Sequence, residues 1–215
     1  MIRVASLKDM VHAGYTKKDI SGMTASEQLK KILKETHELV DLQYSTYNRS
    51  LIPALKKRGL KIISEHESLS EEQKKFVDAY FEENVYPVLT PMAMDSSRPF
   101  PLIRNKTLNI GALICRKDGK EKHKTLDFAT VQVPSVLPRI VELPEGKDGE
   151  KRVILLEEII ERNIGQLFLS YDVVCAHPYR VMRNADLSID EDEAEDLLKE
   201  IQKQLKKRQW GEVIR

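Results

Sequence analysis

The side chains best suited to metal binding or nucleophilic chemistry in this sequence are five histidines and two cysteines. They stand at His12, His37, His66, His123, His177, Cys115 and Cys175. The histidines form neither an HExxH nor an Hx3–5H pattern, and no cysteine lies at ligand spacing from a histidine or in a CxxC pair. The spacing argues against a zinc site and a disulfide framework. It predicts structural or solvent-exposed histidines and favours a reducing cytoplasm.

Short motifs that cradle phosphates or expose a nucleophile are also absent from the sequence. It contains no GxxxxGKS, GxxxxGKT, GxGxxG or GxSxG pattern. The run Asp186-x-Ser188-x-Asp190 resembles the start of a calcium loop, but Glu191 stands where the sharp turn of such a loop needs glycine. We interpret these carboxylates as caps of a helix N-terminus. The sequence therefore gives no catalytic, no cofactor-binding and no metal-binding residue.

Basic side chains are the remaining candidates for a functional contact. Arg98 and Arg104 flank a proline-stiffened stretch, where they could present guanidinium groups to an anion or to a neighbouring domain. Pairing with a nearby carboxylate such as Asp95 is the alternative, and we favour it. The basic runs 117–124 and 203–208 are interpreted as a solvated hairpin tip and a solvated helix end.

A proline-rich stretch divides the chain into two parts, whose helices and strands must position the candidate residues. Four of the nine prolines lie within residues 87–101. Each fixes φ, removes a backbone donor and disfavours helix at the preceding residue. We predict a helical N-terminal part over residues 1–86, a proline-rich junction over 87–105 and a middle domain over 106–215.

Two capping boxes predict helix starts before the junction. Thr24 with Glu27 opens a long helix with one apolar stripe, and Ser70 with Gln73 opens a second helix of the same kind. Each helix has one stripe to bury, so the pair is interpreted as part of a helical bundle.

Other signals place the ends of these elements. Pro53 predicts a kink or break near residue 50 of the long helix, and Gly59 predicts its left-handed stop. Residues 60–63 predict a short extended piece. The loose alternation of Ile2, Val4 and Leu7 predicts a strand in residues 1–11, followed by a short helical turn.

Strand patterns dominate after the junction. They fall at residues 107–115, 127–133, 139–143, 152–155 and 173–183, with a last strand at 212–215. Helical periodicity occurs at residues 156–168 and 190–208. Strands interleaved with two helices predict an α+β domain built on a mixed sheet, so the whole chain is expected to be α+β.

Composition sets limits on partners and location. The formal net charge is +1, the apolar fraction 41% and the charged fraction 32%. These values are typical of a soluble globular protein and give no general argument for nucleic acid. No apolar run approaches the roughly 20 residues that span a bilayer, and the N-terminus lacks the layout of a signal peptide. We expect a cytoplasmic protein with at most peripheral association with a membrane.

Several segments of the chain resemble the polyphosphate kinase family, the large bacterial type that phosphorylates its own histidine. The junction carries Tyr80-Phe81, Tyr86-Pro87-Val88-Leu89-Thr90-Pro91-Met92-Ala93-Met94-Asp95, Arg98-Pro99-Phe100-Pro101 and Asn105-x-x-Leu108-Asn109. Further matching segments are Ile2-Arg3-Val4-Ala5-Ser6-Leu7, Val133-Pro134 with Leu137-Pro138-Arg139 and Val141-x-Leu143-Pro144, and Arg183-Asn184-Ala185-Asp186-Leu187 with the acidic start at Asp190. The matches follow one another in order over essentially the whole chain.

The resemblance implies an architecture and an activity. The chain would carry the later part of a helical N-terminal domain and nearly all of the middle or "head" domain. The matching segment at residues 2–7 would be a strand of that N-terminal domain. The phosphorylated histidine and the magnesium-binding arginines of the family would lie outside the chain, in two C-terminal domains that resemble phospholipase D. The parent would transfer the terminal phosphate of ATP to polyphosphate, reversibly and with Mg²⁺.

The same resemblance implies the role of this chain. It would supply a scaffold, one wall near the nucleotide site and a region of dimer contact, with no activity and no bound ATP or Mg²⁺ of its own. Its partners would be the missing C-terminal domains, a second copy and polyphosphate, in the cytoplasm or at the inner face of the membrane. The alternative is a stand-alone module that binds a polyanion or a protein through Arg98, Arg104 and residues 203–208.

Overall fold

Helices open the chain and strands follow them, which confirms the predicted α+β class. The computed structural model describes residues 2–64, 68–94, 101–117, 126–145, 149–184, 211 and 213–215. The chain forms two compact units. The first unit comprises Met1–Asn48, Leu102–Lys106 and Val181–Arg215, and the second comprises Arg49–Pro101 and Thr107–Arg180.

The described helices of the first unit are α1 (Ile2–His12) and α2 (Ala25–Thr46). Ala5 and Leu7 of α1 are fully buried, and the Arg3 guanidinium donates a 2.6 Å hydrogen bond to Oε1 of Gln28. The strand predicted for residues 1–11 is therefore wrong. Three alternating apolar residues are too weak a signal, and a helix places Arg3 and Leu7, four residues apart, on one face.

Helix α2 begins at the predicted capping box. Thr24 Oγ1 accepts from the backbone N–H of Glu27, and a carboxylate oxygen of Glu27 accepts from the N–H of Thr24 at 2.7 Å. The predicted apolar stripe exists, but most of it is not covered: Leu33, Leu39 and Tyr44 are 59%, 66% and 63% exposed. Amphipathic spacing indicates which face is apolar and leaves open whether anything packs on it.

Arg183 joins three separate segments of the first unit. Its guanidinium donates to the backbone carbonyls of Ile103, at 2.9 Å, and Gly211, at 3.0 Å. Its own N–H donates to the side-chain oxygen of Asn105, and its backbone forms an antiparallel bridge with Val213. These bonds fix the chain where it enters and leaves the second unit.

The long helix is interrupted ahead of Pro53, as predicted. A π-helical turn occupies Tyr47–Leu51, and α3 (Ile52–Lys57) follows with the proline near its start. Gly59 has a φ of +80°, which confirms the predicted left-handed stop. Strand β1 (Leu60–Ile63) follows at once, and α4 (Glu71–Tyr80) begins at the second capping box.

Apart from short π-helical and 3₁₀ turns, the remaining described elements of the second unit are strands and one helix: β2 (Pro91–Ala93), β3 (Leu108–Arg116), β4 (Asp127–Gln132), β5 (Ile140–Glu142), β6 (Lys151–Leu155), α5 (Leu156–Asn163) and β7 (Tyr171–Arg180). They form a three-stranded sheet in the order β1-β6-β5 and a four-stranded sheet in the order β2-β4-β3-β7. The first sheet is mixed, because β6 is parallel to β1 and antiparallel to β5. The second is antiparallel throughout. The predicted helix at 190–208 lies outside the described residues.

Helix α4 shares the core of the sheets. Val77 of α4 and Phe81 and Val85 after it are fully buried in one cluster with Ile110 of β3 and Val131 of β4. The boundaries of the two units therefore differ from the predicted division at residues 86 and 105, which grouped this helix with the N-terminal part. A short helix buries its single apolar stripe against the nearest sheet, so packing rather than proline content decides where the core ends.

Gly111 allows two aromatic rings to approach β3 on the other face of the four-stranded sheet. A Cβ at this position would lie 3.1 Å from the Phe128 ring and 3.3 Å from the Tyr179 ring. The two rings pack edge to face, and the Tyr179 hydroxyl lies 2.8 Å from Oγ1 of Thr130. A glycine inside a strand here marks a close side-chain approach.

Candidate functional site

The proline-rich junction is the first place to look for a site, and its backbone follows the prediction over residues 86–94, which the structure describes. A π-helical turn (Phe81–Val85) and a 3₁₀ turn (Tyr86–Val88) end the helical run, and Leu89 is extended. β2 then joins the edge of the four-stranded sheet by pairing with β4. The stiff passage therefore positions an edge strand.

A groove of about 330 Å³ lies beside this edge strand. It is lined by Val88, Thr90, Met92, Gln132, Pro134, Ser135 and Val136. Its polar groups are two hydroxyls and one amide, and none of its lining side chains is charged. The chemistry of this lining suits a neutral contact and provides no cation for a phosphate.

Arg104, one of the two arginines singled out at the junction, does not line this groove. Arg104 is exposed and already has a partner in the structure. Arg98 and Asp95 lie outside the described residues, so their pairing stays a prediction. Asp186, Ser188 and Asp190, residues 118–124 of the basic run 117–124 and the whole basic run 203–208 also lie outside the described residues.

The histidines and cysteines do not converge within the described part of the chain. His12 and His37 are exposed, and Nδ1 of His177 lies 3.6 Å from Oε1 of Glu161. His66 and His123 lie outside the described residues. Cys115 and Cys175 are free thiols. Among the described residues no group of three or more histidine, cysteine and acidic side chains could hold a metal ion.

Sequence reasoning missed a charged cluster on α5. Glu157 is 3% exposed, and both its carboxylate oxygens accept from Nε of Arg139, at 3.0 and 3.1 Å. Arg162 donates from Nε to Asp78 of α4 at 2.9 Å. The sequence signal was a short predicted helix in which Glu157, Glu158 and Glu161 stand next to two isoleucines. Which arginine meets which carboxylate is a tertiary property.

Glu158 is the titrating group of this cluster. Burial is the main cause that raises its pKa to about 7, and the neighbouring carboxylates of Glu161 and Glu157 add to the shift. Burial also raises the pKa of Glu161, while His177 acts in the opposite direction. The ion pairs thus hold α5 to its neighbours, and Glu158 takes up a proton near neutrality.

Comparison with known proteins gives one consistent family along the chain. A family model described as the polyphosphate kinase N-terminal domain matches residues 1–63, and one described as the polyphosphate kinase middle domain matches residues 72–215. The first matched span ends with β1, and the second begins in the first turn of α4.

Relatives show the same pattern over the full length. A polyphosphate kinase from Lactiplantibacillus plantarum is 49% identical over 214 residues, covering 100% of this chain and 29% of the relative. One from Halalkalibacterium halodurans is 44% identical over 216 residues, covering 100% and 30%. The chain therefore spans about 30% of the length of these relatives.

A solved structure supports the fold. The crystal structure of polyphosphate kinase from Porphyromonas gingivalis superposes with a TM-score of 0.68 and 22% identity, covering 97% of this chain and 31% of that one. At that identity the likeness concerns the fold alone.

Proposed function

Because the chain belongs to the polyphosphate kinase family, we propose that it works as part of a longer enzyme that transfers the terminal phosphate of ATP to polyphosphate, reversibly and through a phosphohistidine outside these residues. The observation that carries the proposal is the pair of family models, matched in order over residues 1–63 and 72–215. ATP and Mg²⁺ are the cofactors of the proposed enzyme, and the cytoplasm or the inner face of the membrane is its proposed location.

Within that enzyme the chain acts as a scaffold. Its second unit has a continuous core, and ion pairs tie α5 to α4 and to the segment before β5. Phosphoryl transfer depends on positioning and on electrostatic stabilisation of the moving phosphate, so a stiff support for the reacting domains is a useful contribution. We propose that the remaining domains and a second copy of the protein contact this scaffold.

Replacing a segment of a relative tests the proposal. The 215 residues would replace the matching stretch of the Lactiplantibacillus plantarum relative, and incorporation of labelled γ-phosphate from ATP into polyphosphate would be measured with Mg²⁺. We expect the chimera to keep at least about a tenth of the parental rate, which corresponds to a loss of at most about 1.4 kcal/mol in transition-state stabilisation. A matched chimera with Ile114→Asp, which places a charge in the core, should be inactive.

The isolated chain should neither label itself nor make polyphosphate under the same conditions. A labelled band on the 215 residues would contradict the scaffold role. A folded chimera without activity, by contrast, would contradict membership of a working polyphosphate kinase. The two results separate the role of this chain from the activity of the proposed parent.

A further inference from the structure

Most of helix α2 is not buried against the rest of the described chain. Its buried residues are Ala25 and Gln28, both in the first turn, where Arg3 of α1 donates to Gln28. From residue 29 to residue 46 every position is half-buried or exposed. A helix in water gains most of its stability when its apolar face packs on another element. Among the described residues, α2 therefore lacks the contact that usually stabilises a helix of 22 residues.

The uncovered face has the spacing of a seam between two helices. Apolar residues and one threonine recur at intervals of three and four residues, at Leu29, Leu33, Thr36, Val40, Tyr44 and Tyr47. We refer to these six residues as the α2 stripe. Such intervals keep the side chains on one side of a helix, where they fit between the side chains of a second helix. At 1.5 Å per residue α2 is about 33 Å long, which gives a partner helix of similar length a continuous surface.

The polar side of α2 carries charges of both signs. Three lysines and four acidic residues occur in the helix: Lys30, Lys31, Lys34, Glu27, Glu35, Glu38 and Asp41. Lys31 lies 4.0 Å from Glu35, and Lys34 lies 3.9 Å from Glu38. An amphipathic helix that lies on an anionic membrane is rich in basic residues on its polar face. The mixed charges of α2 therefore favour a protein partner over a lipid surface.

We propose that the α2 stripe binds an amphipathic helix from the part of the parent protein outside these 215 residues, an inference that rests on the proposed function and assigns an interface to it. The chain spans about 30% of the length of its relatives, so most of the parent can supply this helix. A segment of the same polypeptide reaches the stripe at a high effective concentration, which favours it over a second copy. Covering the stripe also removes an exposed apolar patch that would promote aggregation.

Cysteine labelling in the isolated chain and in the chimera with the Lactiplantibacillus plantarum relative tests the interface. Leu33→Cys and Tyr44→Cys place a thiol on the α2 stripe, and both positions are exposed, so the fold should persist. Mass spectrometry of the α2 peptides measures their rate of reaction with a maleimide. We expect rapid reaction in the isolated chain and a rate at least about tenfold lower in the chimera, because reaction there requires local opening of the interface.

The matched control is Glu38→Cys at another exposed position of α2. Residue 38 lies two positions from both Thr36 and Val40 and therefore on the opposite side of the helix. Its thiol should react at similar rates in the two proteins. Amide hydrogen exchange of the unsubstituted proteins gives a second measurement, in which residues 29–46 should exchange more slowly in the chimera.

Three outcomes would overturn the proposal. The first is that the stripe thiols react equally fast in the chimera and in the isolated chain. The second is that they are already protected in the isolated chain. The third is protection in the chimera that disappears on dilution, which would assign the stripe to a second copy.

The test of the interface is separate from the activity of the parent. An active chimera with an unprotected stripe would reject the interface and leave the proposed function intact. A protected stripe in a folded but inactive chimera would support the interface and reject the proposed function.

Discussion

Glu157 is a carboxylate with a side-chain exposure of 4%, held by a guanidinium that is 57% exposed. Removing the arginine leaves a buried carboxylate without this partner, which costs far more than losing a surface ion pair. The pairing joins the segment before β5 to the first turn of α5. Its value to the protein is therefore the positioning of α5 on the core.

We expect Arg139→Met to lower the free energy of unfolding by about 2 kcal/mol, a value reduced from that of a fully buried pair because solvent screens the guanidinium. Urea denaturation measures this change in the free energy of unfolding. The double variant Arg139→Met/Glu157→Gln should recover about half of the loss, because the uncharged amide is easier to bury. A single variant as stable as the unaltered chain would contradict the assigned pairing.

Glu158 gives the protein a pH dependence whose sign follows from its raised pKa. The folded protein holds the proton up to about pH 7, whereas the ordinary pKa of a glutamate side chain is 4.5. The stabilising contribution is complete below that lower value and is lost as the pH rises through about 7.

Glu158→Gln should remove this loss. We expect a gain of about 1 kcal/mol at pH 8, after allowance for the half-exposed position, and almost no difference at pH 4. Thermal melting at the two pH values checks it. The matched control is Glu83→Gln at an exposed position, and its small effect on stability should be the same at both pH values. A gain for Glu158→Gln that is larger at pH 4 than at pH 8 would reverse the sign and refute the argument.

At the scale of elements, the two capping boxes look alike in sequence and differ in burial. Glu27 is exposed and serves its own helix. Gln73 is 1% exposed, accepts from the N–H of Ser70 and also donates to the carbonyl of Pro144 at 3.0 Å. The second box therefore fastens the start of α4 to the segment after β5.

Gln73→Ala should cost about 2 kcal/mol of unfolding free energy, because it removes the hydrogen bonds that this buried side chain makes to the backbone of Ser70 and of Pro144. Glu27→Ala at the exposed box should cost less than about 1 kcal/mol. Chemical denaturation of both variants gives the comparison. Equal costs would show that the contact with Pro144 adds nothing.

At the scale of the whole molecule, each compact unit has its own fully buried side chains. Leu7 of α1 lies in the first unit and Ile114 of β3 lies in the second, and both are 0% exposed. Burial of such side chains inside each unit is the main source of its stability.

The described helices include none that is long and apolar enough to cross a membrane.

Truncating these two residues should affect different parts of the chain. Leu7→Ala should speed amide hydrogen exchange mainly in α1 and α2, and Ile114→Ala mainly in β3, β4 and β7, each with a loss of about 3 kcal/mol in its own unit. Mass spectrometry measures the rates of amide hydrogen exchange in both variants. If the two variants sped exchange equally in all elements, the division into two units would not describe the stability of the chain.

Local chemistry in the sequence determined much of this protein. Capping boxes at Thr24 and Ser70, the interruption before Pro53 and the stop at Gly59 follow from bonds and sterics within a few residues. The strands after the junction follow from alternation. The family followed from segments of the junction that no single physical rule explains.

Only the tertiary structure decided the rest. It made residues 2–12 a helix, placed α4 in the core of the sheets and left much of the apolar stripe of α2 exposed. It also chose the partners of Glu157 and Asp78. These features depend on contacts between residues distant in sequence, and a local pattern contains no information about which distant surface will cover it.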